Sequence, residues 1–391
     1  MRRAADGLAA WVLVGVIGWA GILYIGWMLW QASPPKAGFD LALLLEAARR
    51  VTGGQSPYDP AMLAGVSPDA TALFYSYPPP VAQAMTLLAW LPDGVVLVLW
   101  GLGATLGLGA VAWRIGLAAG RGGASRDALK TVAVAALLLP FAVAVLFGNL
   151  DAWYGLALGA LVLAVGMPRP TNGQAVAGGI ALGVISVAKL HPASLLVWLL
   201  VRAAVDRQGP ARRTLVAAVL TGVVLLVASL AIGGTGPWQD YLAVLQVGSG
   251  AAVVDPRNVG PVSLLGQLVP LDAAAIRLAQ LLVALAAVAA TALAALRVRD
   301  PLASLAIAIT ASLVVLPVTW YHYPVALIPV GIALVALRPG SRARVAIAAA
   351  VADLAIGFTP LLWVGVGVLL MAARQHHSPT PASRPSVLPG G

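Results

Sequence analysis

Apolar blocks about 20 residues long recur from one end of this chain to the other, and that length is what an α-helix needs to cross a bilayer. The stretch from Thr214 to Gln239 contains no charged residue, and the next similar block follows at 273–296. Of the 391 residues, 60% are hydrophobic and 10% charged, against about 25% charged in a soluble domain. Lipid is the natural solvent for such a chain, and the reading is an all-α integral membrane protein. The blocks run over 8–30, 92–113, 128–147, 151–167, 175–189, 192–205, 213–233, 273–296, 301–317, 322–337, 343–357 and 360–373, about a dozen spans. The segment 79–91 is apolar but shorter, and a re-entrant path is open to it. The first block follows Arg2 and Arg3, exceeds the core of a signal peptide, and precedes a poor cleavage site at Ala32-Ser33-Pro34. It is read as a retained helix.

The formal net charge of +10 would suggest nucleic acid in a soluble protein. Here the cations fall between apolar blocks, without interleaved aromatics, so topology explains them and no nucleic-acid partner is expected. With the N-terminus inside, 18 of the 24 Lys and Arg residues fall on the cytoplasmic side, and only Lys36, Arg49, Arg50, Lys189, Arg257 and Arg277 fall outside. This bias predicts an even number of spans with both termini cytoplasmic, in a multi-pass protein of the bacterial inner or plasma membrane. Two outer loops are long, about 31–80 and 233–272, and long loops tend to carry function. One polytopic domain therefore covers 1–373, and the tail 374–391, rich in Pro and Ser from Ser378, is expected to be disordered. The absence of Cys excludes disulfides, thiol catalysis and Cys-ligated metals.

Polar residues gather at the outer ends of the spans. Asp40 opens an amphipathic helix in which Leu41, Leu44, Leu45 and Ala48 share one face, and Glu46, Arg49 and Arg50 the other. It is either the helix cap or a carboxylate held at the membrane surface as a general base. Tyr75-Ser76-Tyr77-Pro78-Pro79-Pro80 is an aromatic anchor or a binding element. Asn149 and Asp151 sit in the tight connection Gly148-Asn149-Leu150-Asp151. Lys189 and His191 interrupt the apolar stretch 175–205, where ionisable groups are costly and usually functional. Lys189 either snorkels to the interface or holds a phosphate. Trp320-Tyr321-His322 offers belt aromatics or a stacking platform with a donor, and Asp255-Pro256-Arg257-Asn258 is the acidic–basic–amide cluster of the second long loop. Asp353, inside an apolar block, is a proton site or a partner for a neighbouring helix.

Taken in order, these segments resemble glycosyltransferase family 87, the polyprenyl-phosphate-mannose-dependent mannosyltransferases of GT-C fold. The resemblance rests on Asp40, Gln55-Ser56-Pro57-Tyr58, Tyr75-Ser76-Tyr77-Pro78-Pro79, Gly148-Asn149, the Ala177–Gly183 stretch with Lys189-Leu190-His191-Pro192, and Trp320-Tyr321-His322. It extends from residue 38 to about 330. The second long loop departs from the pattern except at Asn258. The resemblance implies a GT-C-type helical bundle of about 12 transmembrane helices whose two long outer loops carry amphipathic helices. It implies an inverting transfer of a sugar, mannose above all, from a polyprenyl-phosphate donor in the membrane lipid to a glycolipid or glycan acceptor. Asp40 would be the catalytic base. Lys189, His191, His322, Arg257 and Asn258 would meet the donor's phosphate or sugar. Tyr58, Tyr75, Tyr77, Asn149, Asp151 and Trp320 would meet the acceptor or a sugar. A secondary transporter is the alternative, but paired repeats and midplane binding residues are its usual signature.

No metal or other cofactor is expected, because a monophosphate leaving group can be stabilised by cationic side chains and no outer loop contains an Asp-x-Asp pair. Transfer should therefore persist in excess EDTA. Loss of turnover on chelation, restored by Mn²⁺ or Mg²⁺, would move the chain to a metal-dependent class.

Overall fold

The computed structural model describes residues 37–66, 74–255, 257–355 and 360–374, with isolated positions 16, 20 and 23. The expected first span (8–30) and the tail 375–391 lie outside the described residues. Those described are helical and contain no strand; a bridge pairs Asn258 with Trp320. The helices are α1 Phe39–Thr52, α2 Pro60–Leu63, α3 Pro79–Met85, α4 Asp93–Ala118, α5 Ala124–Leu137 and α6 Leu139–Phe147. A 3-10 turn, Leu150–Trp153, leads into α7 Tyr154–Leu161, which continues as a π turn, Val162–Gly166. Then come α8 Asn172–Ala188, α9 Leu195–Val205, α10 Pro210–Gly233, α11 Gly236–Val254, α12 Pro261–Leu268, α13 Ala273–Arg297, α14 Pro301–Ser312, α15 Ile328–Leu337, α16 Arg342–Leu354 and α17 Pro360–Arg374.

Apolar helical segments stand near the positions expected of the described spans, but by length and composition only α4, α10 and α13 are uninterrupted helices long enough to cross a membrane. The pair α5–α6 adds a fourth if its two parts, bent by 76° at Leu138, form one span. The other apolar segments hold 10–17 residues, so the longest rises about 26 Å, short of a hydrocarbon core of roughly 30 Å. Proline explains the interruptions. Pro140, Pro192 and Pro324 stand in the first turns of α6, of the turn His191–Ser194 and of the turn Tyr323–Leu327. Proline has no N–H to give the preceding turn and suits a helix start. Non-helical backbone at such depth is tolerated only where protein or water covers it, and these breaks fall among buried residues.

The outward faces of the three long helices are apolar and exposed, as at Leu106, Val224 and Leu285, which suits lipid contact. Where α8 meets α10, glycine lets the backbones touch. A Cβ at Gly179 would lie 2.3 Å from the Thr214 carbonyl oxygen, and one at Gly183 would lie 2.6 Å from that of Ala218.

The two long loops are folded together. Leu41, Leu44, Leu45 and Ala48 of α1 are buried against Tyr58, Tyr75, Met85 and, from the second loop, Tyr241 and Val244. Each buried leucine contributes about 2 kcal/mol. Ser56 Oγ donates to Asp240 Oδ2 at 2.7 Å, joining the loops directly. On the opposite face, Arg49 is paired with Asp93, and Arg50 contacts Glu46 at 3.3 Å and donates to the Tyr58 carbonyl at 2.8 Å. The amphipathic pattern thus faces protein rather than lipid.

The start of α1 is seated on the end of α6, because Gly38 N–H donates to the Leu146 carbonyl at 2.8 Å. Gly148 ends α6 at φ 68°, and a Cβ there would lie 2.5 Å from Leu41 Cβ. Gly148→Ala should cost about 2–4 kcal/mol, from the left-handed backbone and the clash together. A lowered Tm of the detergent-purified protein checks this; an unchanged Tm would mean that the turn relaxes freely.

Candidate active site

The site begins with a buried charge. Asp151, in the turn after α6, has no exposed surface. A lone carboxylate in such a place is very costly, so it needs partners. Lys189, the residue that caps the C-terminus of α8, places Nζ 2.7 Å from Asp151 Oδ1. His322, from the connection between α14 and α15, places Nε2 3.2 Å from Asp151 Oδ2. The two cation-forming side chains stand one carboxylate apart, although more than 130 residues separate them in sequence. Neither ring nitrogen of buried His322, nor Asp151 Oδ2, has a hydrogen-bond partner among the described residues, so His322 meets Asp151 by proximity and its Nδ1 is left open.

Aromatic rings fix Lys189. Its Nζ lies 4.1 Å from the Tyr323 ring centre and 5.9 Å from that of Tyr77, a cation–π arrangement. Tyr323 stacks at 5.1 Å on His191, whose Nε2 is 2.9 Å from the Tyr154 hydroxyl. His191 is thus buried in a stack behind Lys189.

Asn149 connects this group to Asp40. Its Nδ2 donates to Asp40 Oδ2 at 2.7 Å, and its Oδ1 accepts from the Asp151 N–H at 2.9 Å. Trp100 of α4 fixes the backbone by donating to the Asn149 carbonyl at 3.1 Å. Asp40 is the second residue of α1, whose N-cap is Gly38, so it is not the cap that the sequence allowed. It is half-buried. Burial pushes its carboxyl above the usual range, and the nearby His322, Asn149 and Lys189 offset this only in part. Tyr321 belongs to the same neighbourhood: burial first, then the charge of Asp40, push its phenol up to about 12.

A carboxylate with raised basicity, tied through one amide to a lysine–histidine pair, suits proton abstraction beside a bound anion. The model of glycosyltransferase family 87 matches residues 75–319, well over half of the chain. The chain belongs to glycosyltransferase family 87. It is accordingly a membrane glycosyltransferase, and the transporter alternative is set aside. No curated protein matches the chain. The match takes in Asn149, Asp151 and Lys189, whereas Asp40 lies 35 residues before its start and His322 three residues after its end. Contact with Asn149 and Asp151 is what joins these two to the candidate site.

Several residues singled out in the sequence stand elsewhere. The hydroxyl of buried Tyr58 donates to the Tyr77 carbonyl at 2.9 Å. The hydroxyl of buried Tyr75 donates to the Pro78 carbonyl at 3.2 Å and accepts from the Ala82 N–H at 2.9 Å. Both hydroxyls brace the outer loops. Asn258 is also buried: its Oδ1 accepts from Gly260 N–H and Thr319 N–H at 2.9 and 3.0 Å, and its Nδ2 donates to the Pro317 carbonyl at 3.1 Å. It staples the second loop beside Trp320. Arg257 forks onto Asp255 at 2.9 and 2.6 Å, with its guanidinium 5.7 Å from the Trp320 ring centre. Asp353 accepts from the Leu139 N–H at 2.8 Å, pairing with the start of the neighbouring α6. Sequence reasoning missed Tyr154, Tyr321 and Tyr323. Tyr321 stood within the quoted run Trp320-Tyr321-His322 and Tyr323 directly follows it, and their alternation around His322 was the available signal.

Removing the charge of Asp151 would strand Lys189, whose side chain is only 11% exposed. Asp151→Asn should destabilise the protein by about 3 kcal/mol, the cost of breaking a buried ion pair. The double variant Asp151→Leu/Lys189→Met should recover part of that loss. Thermal denaturation of all forms in one detergent checks the pair; additive losses would show that the two charges do not support each other.

Proposed function

We propose that this glycosyltransferase moves a sugar, mannose by its family resemblance, from a polyprenyl phosphate to a hydroxyl of a glycolipid or glycan, with inversion at the anomeric carbon. The observation that carries the reading is the shared frame in which Asn149 holds Asp40 while Asp151 holds Lys189 and His322. In the step, the acceptor hydroxyl gives its proton to the Asp40 carboxylate as its oxygen bonds to the anomeric carbon. The bond from that carbon to the phosphate oxygen breaks, and its electron pair leaves with the lipid phosphate. Lys189 and His322 stabilise the charge that grows on the departing phosphate. Lys189 and His322 stand on opposite oxygens of Asp151, so their role is directional: His322 Nδ1, buried and without a partner among the described residues, is the ring atom left to meet the anion. Arg257, over Trp320, flanks the acceptor or donor sugar.

The strong basic bias of one set of loops supports a site on the non-cytoplasmic face of a bacterial plasma membrane, with both termini in the cytoplasm. Apolar segments too short to be continuous spans would still complete about twelve crossings as broken or paired helices. The residues 1–373 act as one transferase domain.

Purified protein in liposomes, given polyprenyl-phosphate mannose, polyprenyl-phosphate glucose or a nucleotide sugar, separates the donor classes by product mass. Transfer from the nucleotide sugar alone would overturn the lipid donor. Asp40→Asn should lower turnover by about 10²–10⁴-fold without loss of the folded protein, and near-normal turnover would remove Asp40 as the base. Since burial raises its pKa, Asp40 is the unprotonated base only at higher pH than an ordinary carboxylate. The acid limb of the wild-type rate profile should therefore lie above the usual carboxylate range.

A further inference from the structure

At the end of α8 opposite Lys189, a groove of about 900 Å³ opens between α8 and α10. Its apolar wall includes Val176, Ile180 and Leu220, all exposed. Its rim carries Arg207, Arg212 and Arg213, also exposed. Among the described residues none of these arginines makes an ion pair, and Asp206, the adjacent acid, is paired with none of them. Asp206, whose carboxylate lies against Gly209 at the start of α10, offsets the positive end of that helix and leaves the three arginines as the cations of the groove. Val176 and Lys189 are 13 residues apart along α8, about 20 Å of helix rise, so this groove is separate from the active site.

Three unneutralised guanidiniums above an apolar trough, on the rim of a membrane protein, complement one kind of molecule: a phosphate joined to acyl chains. Arginine grips phosphate with paired N–H donors, and the exposed aliphatic wall suits a chain lying along the helix pair. We propose that this groove binds an anionic glycerophospholipid, with its phosphate between Arg207, Arg212 and Arg213 and one acyl chain against Val176, Ile180 and Leu220. Because α8 carries Lys189 at its far end and packs on α10 through Gly179 and Gly183, a lipid bridging the two helices also steadies the segment that presents Lys189.

Native mass spectrometry of the full chain released from detergent, titrated with phosphatidylglycerol or phosphatidylcholine, reads the binding directly. The wild type should retain phosphatidylglycerol and lose phosphatidylcholine. Arg207→Ala/Arg212→Ala/Arg213→Ala should weaken phosphatidylglycerol binding by on the order of a hundredfold, from about fivefold for each basic residue. Leu220→Trp, which fills the trough and leaves every arginine in place, should also displace the lipid, and it provides the answer if the triple variant fails to fold. Equal retention of the two lipids by the wild type, or unchanged phosphatidylglycerol binding in the variants, overturns the proposal. So does a polyprenyl phosphate that outcompetes phosphatidylglycerol in the wild type and loses that advantage in the variants.

Discussion

The carboxylate of Asp151 is the point on which the active site depends. A charge without exposed surface cannot stay ionised alone. Its pairing with Lys189 and His322 draws the end of α8 and the connection after α14 to one place. The same turn offers Asn149 to Asp40. Three chain segments that never adjoin in sequence are therefore held by one short run, Gly148 to Asp151. Such a network confines several side chains at once, at the cost of burying polar groups that must all be satisfied.

This network sits where helices stop. Proline starts α6 and the turns after Lys189 and His322, and Gly148 ends α6 in a conformation favoured for glycine. A continuous helix keeps its backbone groups to itself and points side chains only sideways. Broken helices release backbone and place side chains end-on into a shared interior. Of the uninterrupted helices, α4 joins the network only sideways, through Trp100, while α10 and α13 present exposed apolar surface.

Much of this was legible in the sequence. Hydrophobic blocks gave the helical membrane class, and the apolar face of α1 was visible in the spacing of its leucines. Asp40, Lys189 and His322 stood out because ionisable groups are conspicuous in an apolar chain. Less legible was how each polar group is used. Nothing local distinguishes Tyr58 and Tyr75, whose hydroxyls serve backbone groups, from Tyr77, which lies beside Lys189. Asn258 reads like a ligand and acts as a staple, because its partners at Pro317 and Thr319 are about 60 residues away. Spans were harder still: a hydropathy block counts apolar residues, while the geometry is set by a single proline inside it.

The short helices have a consequence for the membrane itself. Of the segments of 10–17 apolar residues, Asn172–Ala188 and Pro360–Arg374 expose apolar side chains such as Val176, Val184, Val364 and Met371; an apolar wall of that height is lower than the roughly 30 Å of an undisturbed bilayer, and lipid meets such mismatch by thinning beside the protein. Around this enzyme, headgroups would sink toward the broken helix ends. If the donor is the lipid phosphate proposed above, it would then travel less distance out of its leaflet to reach Lys189 and His322, and the membrane's own deformation would share in delivering it.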